Sequence, residues 1–331
     1  MLIIVTMYSM SGMGMFPLFW LLIFLTSLVI IDLAVHLIYV RLILRIFETK
    51  PPFSVVSSPP IPDAEQISFE TSDGITLRGS IHRQASGPAK GVVLFCPELE
   101  GSHWSAATYA NGLLQSGYTV VSFDFRSQGE SDPQPGYAPL HWPTTFEVED
   151  VRAAIRFINS RCDLNKLSLG IMGVSRGSTP ALIAAAETAQ VKAVCCEGAY
   201  STDALLMHFI FRWATLYLPR PVLEMLPKWH VRITLIMVRW TSRLLRKRRY
   251  VVLENWLSKL KNRPVLLVAG ARDNYVHPDV GRGLQKRIDS PSAQLWLVPS
   301  AKHNSAREVG PAEYDRRLSE FFNATLSANP A

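Results

Sequence analysis

The hydrophobic positions of this chain form one long apolar segment, followed by short apolar runs that alternate with amphipathic stretches. The long segment, residues 16–40, contains a single formal charge, Asp32. As a helix it is long enough to span a bilayer with some tilt. The alternation that follows is typical of a parallel β-sheet flanked by helices.

The short apolar runs predict the strands of that sheet. Two alternating runs on either side of Ser72-Asp73-Gly74 predict an opening β-hairpin. Buried strands are then expected at 91–96, 118–123, 167–172, 191–196, 264–269 and 293–298. Helices are expected after residue 101 and over 144–160 and 179–190. Because the connections are short, the predicted fold class is α/β, with a doubly wound, mostly parallel sheet.

The most informative junction is Gly173-Val174-Ser175-Arg176-Gly177, between a predicted strand and an Ala-rich helix. In this setting Gly-x-Ser-x-Gly is a nucleophile elbow, a strained turn that lifts the serine hydroxyl clear of the sheet. A Cβ at either glycine is expected to meet the neighbouring strand or helix. The pentapeptide alone is weak support, so a base, an acid and an oxyanion hole must follow in the required order.

Candidate partners for Ser175 follow the later strands. Asp273 comes after the strand at 264–269, and His303 comes after the last one. The order Ser175, Asp273, His303 is the order in which a nucleophile elbow is followed by its acid and its base. His303 is predicted to take the serine proton, and Asp273 to orient the imidazole. Two alternatives stay open: Asp273 only caps the next helix, or Glu197, at the end of the preceding strand, supplies the carboxylate.

The oxyanion hole is expected from two backbone N–H groups. One belongs to Arg176, directly after the nucleophile at a helix N-terminus. The other belongs to Leu99, in the loop after the strand at 91–96. Glu98 precedes it, and a carboxylate there opposes an oxyanion unless it is paired, protonated or turned away. Arg126 and Arg176 are candidate partners for Glu98, and the alternative is a solvent-facing loop acid.

Four motifs together resemble the α/β-hydrolase superfamily, in particular its serine-peptidase- and esterase-like members. They are Asp-Phe-Arg-Ser-Gln-Gly-Glu-Ser at 124–131, the elbow at 173–177, the segment 270–278 and His303. The resemblance covers about residues 63–326, apart from an insertion. It implies an α/β-hydrolase fold and says little about the substrate. Related hydrolases often carry His-Gly where this chain has Pro97-Glu98, so the oxyanion loop departs from the family pattern.

The insertion, residues 201–261, predicts a helical cap of basic character. Between positions 204 and 250 it carries ten Lys or Arg and one acid. The net charge of this segment is therefore larger than the net charge of +7 for the whole chain. Amphipathic helices are expected over 208–217 and 231–245. Such helices bind membrane interfaces, so membrane contact is expected at Arg243, Arg246, Lys247, Arg248 and Arg249. The alternative is an ordinary cap that lines the substrate pocket and has solvated arginines.

The N-terminal apolar segment is expected to be an uncleaved single-pass anchor. No Lys or Arg precedes it, and no small-residue cleavage site follows it. The positive charges that follow it place the catalytic domain in the cytoplasm, and four cysteines without a disulfide framework agree with a reducing compartment. Asp32 and His36 lie on one helix face, either as a functional pair inside the membrane or as a pair that reaches the interface.

These signals divide the chain into an anchor (1–47), a Pro-rich linker (48–62), a hydrolase core (63–200 and 262–331) and a basic cap (201–261). The predicted function is a membrane-anchored serine hydrolase that cleaves an ester or thioester of an apolar acyl group, with a lipid as one candidate substrate. A peptidase or an acyltransferase would use the same residues, and a non-catalytic scaffold that binds a membrane or a partner through its cap is the alternative of another class.

Neither a cofactor nor a metal ion is expected. No His/Cys cluster in the sequence has ligand spacing, and Gly-rich phosphate loops are absent. Nucleic acid is not an expected partner, because apolar residues surround the basic run at 246–249. The sequence carries no signal for an oligomeric state.

Overall fold

The computed structural model describes residues 4–50, 58–83, 87–215, 219–225 and 227–326. Residues 51–57 of the predicted linker and the end of the helix expected over 208–217 lie outside that description. The chain forms two compact units. The first comprises Met1–Thr49 and Leu226–Arg246, and the second comprises Lys50–Met225 and Lys247–Ala331.

The second unit is built on an eight-stranded sheet. Its strands are β1 (Glu65–Glu70), β2 (Thr76–His82), β3 (Val92–Cys96), β4 (Thr119–Phe123), β5 (Leu169–Val174), β6 (Val191–Glu197), β7 (Val265–Gly270) and β8 (Ala293–Val298). Their order in the sheet is β1-β2-β4-β3-β5-β6-β7-β8. β2 pairs antiparallel with β1 and β4, and all the later neighbours are parallel. The predicted fold class, a mostly parallel α/β sheet, is therefore confirmed.

The described helices are α1 (Ile4–Phe47), α2 (Ala106–Tyr109), α3 (Asn111–Gln115), α4 (Thr145–Ser160), α5 (Ser178–Glu187), α6 (Thr202–Ala214), α7 (Arg220–Met225), α8 (Lys228–Arg246), α9 (Glu254–Leu257), α10 (Pro278–Ile288), α11 (Ala306–Val309) and α12 (Pro311–Leu326). α4 begins at a capping box, in which Thr144 accepts from the N–H of Phe146 and Glu147 accepts from the N–H of Thr144. The helix expected after residue 101 is instead a 3-10 turn followed by α2 and α3.

Apolar side chains cover both faces of the sheet. Along β3, Val92, Leu94 and Cys96 belong to one buried cluster, and Val93 and Phe95 belong to the other. Every residue of β3 is buried. A strand that is buried on both faces is fixed in register, because a shift by one residue would exchange its two sets of side chains. The strand ends that carry the candidate site are positioned by this core.

The first unit consists of α1 and α8. Within the described part of the chain, one helix is long and apolar enough to cross a membrane, over Leu18–Phe47. This span overlaps the apolar segment identified in the sequence at 16–40. The pairing of α8 with α1 was not predicted, because nothing in the pattern of residues 226–246 distinguishes them from the remainder of the basic insertion.

Candidate active site

Ser175 lies immediately after β5 in a strained turn. Its backbone φ of 48° falls in the left-handed region, which residues other than glycine rarely adopt. A Cβ added to Gly173 would lie 2.7 Å from Cα of Ser178, and one added to Gly177 would lie 2.3 Å from the carbonyl oxygen of Cys96. Neither contact is tolerable for a Cβ, so both glycines are required by the close approach of β3, β5 and α5.

The structure brings Ser175, His303 and Asp273 together. The Oγ of Ser175 lies 2.8 Å from Nε2 of His303, and Nδ1 of His303 lies 2.7 Å from Oδ2 of Asp273. The other oxygen of Asp273 accepts the N–H groups of Tyr275 and Val276, both at 2.8 Å. The carboxylate is therefore held in a fixed position. When Nδ1–H is donated to Asp273, Nε2 is free to accept the serine proton.

Glu197, the alternative acid, has other partners. Its Oε1 accepts the N–H of Ala306 at 3.0 Å, and its Oε2 accepts the hydroxyl of Tyr314 at 2.7 Å. The carboxyl is buried, and this burial raises its pKa above the usual value even though both hydrogen bonds act in the opposite direction. The structure places Asp273, and not Glu197, against His303.

Two neighbours of His303 were not identified from the sequence. Gly198 has a φ of 62°, and a Cβ added to it would lie 2.9 Å from Cε1 of His303. The ring of Tyr275 meets the imidazole edge-on, with 4.8 Å between the ring centroids. For Gly198, the only available signal in the sequence was a glycine directly after the end of a predicted strand. No signal in the sequence indicated that Tyr275 would contact His303.

The side chain of Arg176 is buried beneath the elbow. Its Nη2 donates to Oε1 of Glu147 and to the hydroxyl of Tyr137, each at 2.8 Å, and its Nε donates to the carbonyl of Leu140. Burial alone would raise the pKa of Glu147, but the charge of Arg176 together with hydrogen bonds from Tyr137, Arg176 and the N–H of Thr144 lowers that pKa. The side chain of Arg176 thus connects residues 137–147 to the elbow. The backbone N–H of Arg176 is the group that remains as a candidate oxyanion donor.

The loop after β3, which contains the second candidate donor Leu99, runs against the elbow. The Cβ position at Gly177 is only 2.4 Å from the carbonyl oxygen of Pro97. Glu98 is 3% exposed, so the interpretation of it as a solvent-facing acid is wrong. The loop closes around its carboxyl group, because a Cβ at Gly101 would lie 2.7 Å from Cδ of Glu98.

The two arginines that are candidate partners for Glu98 are bound elsewhere. Arg126 donates to Asp73 and Asp150, and Arg176 donates to Glu147. Burial raises the pKa of Glu98 to about 7, and the nearby Glu197 adds to this effect. Glu98 therefore holds its proton well above the usual range of a glutamic acid, which reduces its opposition to an oxyanion.

An aromatic wall, formed by Tyr275, Phe209 and Trp213, extends from His303. The ring centroids of Phe209 and Tyr275 are 5.6 Å apart, and Phe209 stacks on Trp213 at 6.1 Å. Nη1 of Arg212 donates to the carbonyl of Asn274 at 2.6 Å, which fixes α6 to the loop that carries Asp273. This part of the insertion thus presents aromatic surface beside the candidate base.

The basic residues expected at a membrane are divided between the two units. Arg243 lies over the ring of Trp240, and Arg246 is paired with Glu48. Arg248 donates to the carbonyl of Gly136 and lies over the ring of Tyr137. Lys247 and Arg249 are exposed. Arg246 and Arg248 are thus engaged within the protein, so the run is not a continuous free patch of charge.

Comparisons with known proteins agree with this architecture. A family model described as the alpha/beta hydrolase family matches residues 93–316. Polyketide transferase claH of Penicillium crustosum is 33% identical over 129 residues, 38% of this chain and 41% of that protein. The uncharacterized protein YfhR of Escherichia coli O157:H7 is 23% identical over 276 residues, 81% of this chain and 82% of that protein.

Solved structures show the same fold. An esterase from Pyrococcus furiosus superposes with a TM-score of 0.62 at 19% identity, covering 85% of this chain and 99% of the esterase. The family match spans more than half of the chain and includes the elbow, Asp273 and His303. The chain is therefore a member of the alpha/beta hydrolase family.

Proposed function

We propose that this protein is a serine hydrolase of carboxylic esters or thioesters. The observation that carries the proposal is the continuous relay from Ser175 through His303 to Asp273, with contacts of 2.8 and 2.7 Å. Ser175 attacks the carbonyl carbon while His303 takes its proton, and the N–H groups of Arg176 and Leu99 stabilise the oxyanion. His303 then protonates the leaving group, and water releases the acyl group by the reverse sequence of proton transfers.

The aromatic wall supports an apolar acyl group as the substrate. Tyr275 contacts His303 directly, and Phe209 continues the same surface away from the imidazole. An acyl chain that is bound to Ser175 and lies along these rings would be removed from water. Each methylene buried in this way contributes about 0.8 kcal/mol, which is about a fourfold change in an equilibrium constant.

The first unit supports attachment of the enzyme to a membrane. α1 has the length and composition of a spanning helix, and its surface from Leu18 onward is apolar and exposed. α8 also carries an exposed apolar stripe at helical spacing, formed by Trp229, Ile233, Ile236, Trp240 and Leu244. An exposed apolar stripe on a helix that packs along α1 favours contact with acyl chains, and its arginines favour anionic headgroups. We place the catalytic domain on the cytoplasmic side, because the positive charges of Arg41, Arg45 and Lys50 follow the apolar segment 16–40.

Acyl transfer is the second candidate. It would use the same acyl-enzyme, with an alcohol, amine or thiol in place of water as the acceptor. The local similarity to a protein named as a polyketide transferase supports this alternative. The non-catalytic scaffold has less support, because a scaffold needs neither the strained φ of 48° at Ser175 nor the buried relay behind it.

Labelling with a fluorophosphonate tests the nucleophile. We expect the full chain in isolated membranes to react with the probe, and the labelled protein to remain in the pellet after an alkaline carbonate wash. Ser175→Ala should abolish the labelling. Ser319→Ala, which removes an equivalent hydroxyl at a site bonded to Ser116, should retain it. A folded protein that never reacts would support the scaffold, and release by the wash would remove the anchor from the proposal.

A series of p-nitrophenyl esters, from acetate to octanoate, tests the acyl site. We expect kcat/KM to rise with chain length by up to about fourfold per methylene until the site is filled. Phe209→Ala should lower the value for the longest ester about tenfold and leave acetate nearly unchanged. Phe211→Ala is the matched control, because that residue lies about 200° further around α6. Equal losses for all esters would show that Phe209 supports the fold and not the acyl chain.

A further inference from the structure

The two helices of the first unit run parallel and in register. Asp32 pairs with His230, His36 pairs with Thr234, and Glu48 pairs with Arg246, so the partners differ by a constant 198 positions. Thr234, Leu235, Val238 and Ser242 form the buried face of α8. The pairing therefore brings side chains from distant parts of the sequence together along one helix face.

Three of these side chains, those of Asp32, His36 and His230, lie close together. Nε2 of His230 lies 2.7 Å from Oδ1 of Asp32, and Nε2 of His36 lies 3.6 Å from Oδ2 of the same carboxylate. One ligand atom from each residue lies within 4.8 Å of the other two. The two imidazoles are stacked with 4.2 Å between their centroids, so both rings direct Nε2 towards Asp32.

Thr234 sets the chemistry of the buried ring. The Oγ1 of Thr234 lies 2.8 Å from Nδ1 of His36, and both side chains are buried. When His36 donates Nδ1–H to this hydroxyl, its Nε2 presents a lone pair to Oδ2 of Asp32. Two hydrogen-bond acceptors, Nε2 of His36 and Oδ2 of Asp32, then face each other. A cation bound between them would interact favourably with both. A hydrogen bond at the remote ring nitrogen is the arrangement that orients histidine ligands in metal sites.

The geometry points to a site for a divalent transition-metal ion formed by Asp32, His36 and His230, with Thr234 orienting His36. Two imidazole nitrogens and one carboxylate oxygen are a donor set that suits Zn²⁺. Tetrahedral Zn²⁺ with ligands at about 2.1 Å requires donor atoms about 3.4 Å apart. The three donor atoms lie within 4.8 Å of one another, so side-chain displacements of about an ångström would bring them to that spacing.

A fourth ligand has access to the site. Asp32 is 54% exposed, so there is room beside its carboxylate for a further ligand to the ion. On metal binding, His230 would give up its hydrogen bond to Asp32 and coordinate through Nε2 as the Nδ1–H tautomer. The ion would then link α8 to α1. Because separated helices cannot provide all three ligands, metal binding would stabilise the pairing.

This site was not predicted from the sequence. Asp32 and His36 were recognised as a pair on one helix face, but the third ligand lies 194 positions after His36. An acid in a long apolar helix is costly unless it is paired or bound to an ion, and such residues usually have a function. The metal site would account for Asp32 in a segment that otherwise carries no charge.

Cobalt binding to the full chain tests the inference. The protein is purified in detergent, stripped with a chelator, dialysed and titrated with Co²⁺. We expect one Co²⁺ per chain, with the visible absorption of tetrahedral cobalt and displacement by Zn²⁺. His36→Gln and His230→Ala should each weaken binding by at least about tenfold. His277→Ala is the matched control, because this imidazole also neighbours a carboxylate, that of Asp279, and should have no effect.

A ligand exchange keeps the test decisive if an alanine variant fails to fold. His230→Cys should still bind Co²⁺ and should gain an intense near-ultraviolet band from thiolate-to-cobalt charge transfer. A full chain without the cobalt spectrum would overturn the inference and leave a hydrogen-bonded polar cluster between the helices. A spectrum that persists in His230→Ala, or a cobalt-loaded His230→Cys without the thiolate band, would also overturn it.

Discussion

Replacement of Asp273 by asparagine is expected to lower kcat/KM for ester hydrolysis by about 10⁴-fold. The amide can still accept the N–H groups of Tyr275 and Val276 through its oxygen, so the loop should keep its shape. The NH₂ group would then face Nδ1 of His303 in place of Oδ2. It would donate to Nδ1 and force the proton onto Nε2, where His303 can no longer accept the proton of Ser175.

Glu197→Gln is the matched control for this substitution. It makes the same chemical change in a second buried carboxyl group, whose oxygens accept from Ala306 and Tyr314. We expect a change of less than about tenfold in kcat/KM, because this group does not contact the imidazole. The comparison is made on a p-nitrophenyl ester at one fixed pH, with thermal unfolding as a check on folding. A large loss in Glu197→Gln together with a small one in Asp273→Asn would assign the acid to Glu197.

The strand pattern of the hydrolase unit was predictable because few arrangements satisfy it. Apolar runs that alternate with helices must form a parallel sheet, and the ends of its strands meet at one edge. Ser175, Asp273 and His303 each follow such a run, so their order in the chain was enough to predict that they lie close together. The last strand, predicted at 293–298, is observed as Ala293–Val298.

Side-chain packing between distant segments was not predictable. The partner of Arg176 is Glu147, whereas the sequence indicated Arg176 only as one of two candidate partners for Glu98. Position in the sequence places an arginine at the elbow, but it does not tell which way a long side chain turns. Gly198 and Tyr275 were missed for the same reason, since both matter only through where the ring of His303 lies.

The helical insertion was the least predictable region. Its composition correctly indicated amphipathic helices, and α8 at Lys228–Arg246 includes the predicted stretch 231–245. Periodicity defines an apolar face but not the surface that covers it. The basic residues suggested a free patch of charge, whereas Arg246 is paired with Glu48. The association of α8 with a helix almost 200 residues earlier in the chain leaves no local trace in either segment.

Glu98 gives the second large expected effect, which is on the pH dependence of stability. Its carboxyl group is 3% exposed, and burial raises its pKa from 4.5 in the unfolded chain to about 7. Below pH 4.5 both states are protonated, and the group has no net effect. Between pH 4.5 and 7 the unfolded chain loses the proton while the folded protein keeps it. The free energy of unfolding therefore falls as the pH rises, by about 3 kcal/mol in total.

Glu98→Gln should remove this dependence, because an amide does not titrate. We expect the free energy of unfolding of the variant, relative to the native protein, to rise by about 2.5 kcal/mol between pH 5 and pH 8. Urea titrations of the full chain in detergent at several pH values measure the difference. Glu130→Gln, at an exposed carboxylate, is the control and should follow the native protein. Parallel curves for native protein and Glu98→Gln would mean that Glu98 is solvated in solution.

The same substitution should also affect catalysis in a direction that depends on pH. Glu98 precedes the proposed oxyanion donor Leu99, so its negative charge, once formed, would destabilise the oxyanion. Below about pH 7 the native protein and Glu98→Gln should have similar kcat values, because the native carboxyl group is neutral there. Above that pH the variant should become the faster enzyme, since only the native loop acquires a charge. A buried acid in this loop thus links the stability of the fold and the rate of the reaction to one proton. If the ratio of the two kcat values does not change with pH, the proton on Glu98 affects stability but not the rate.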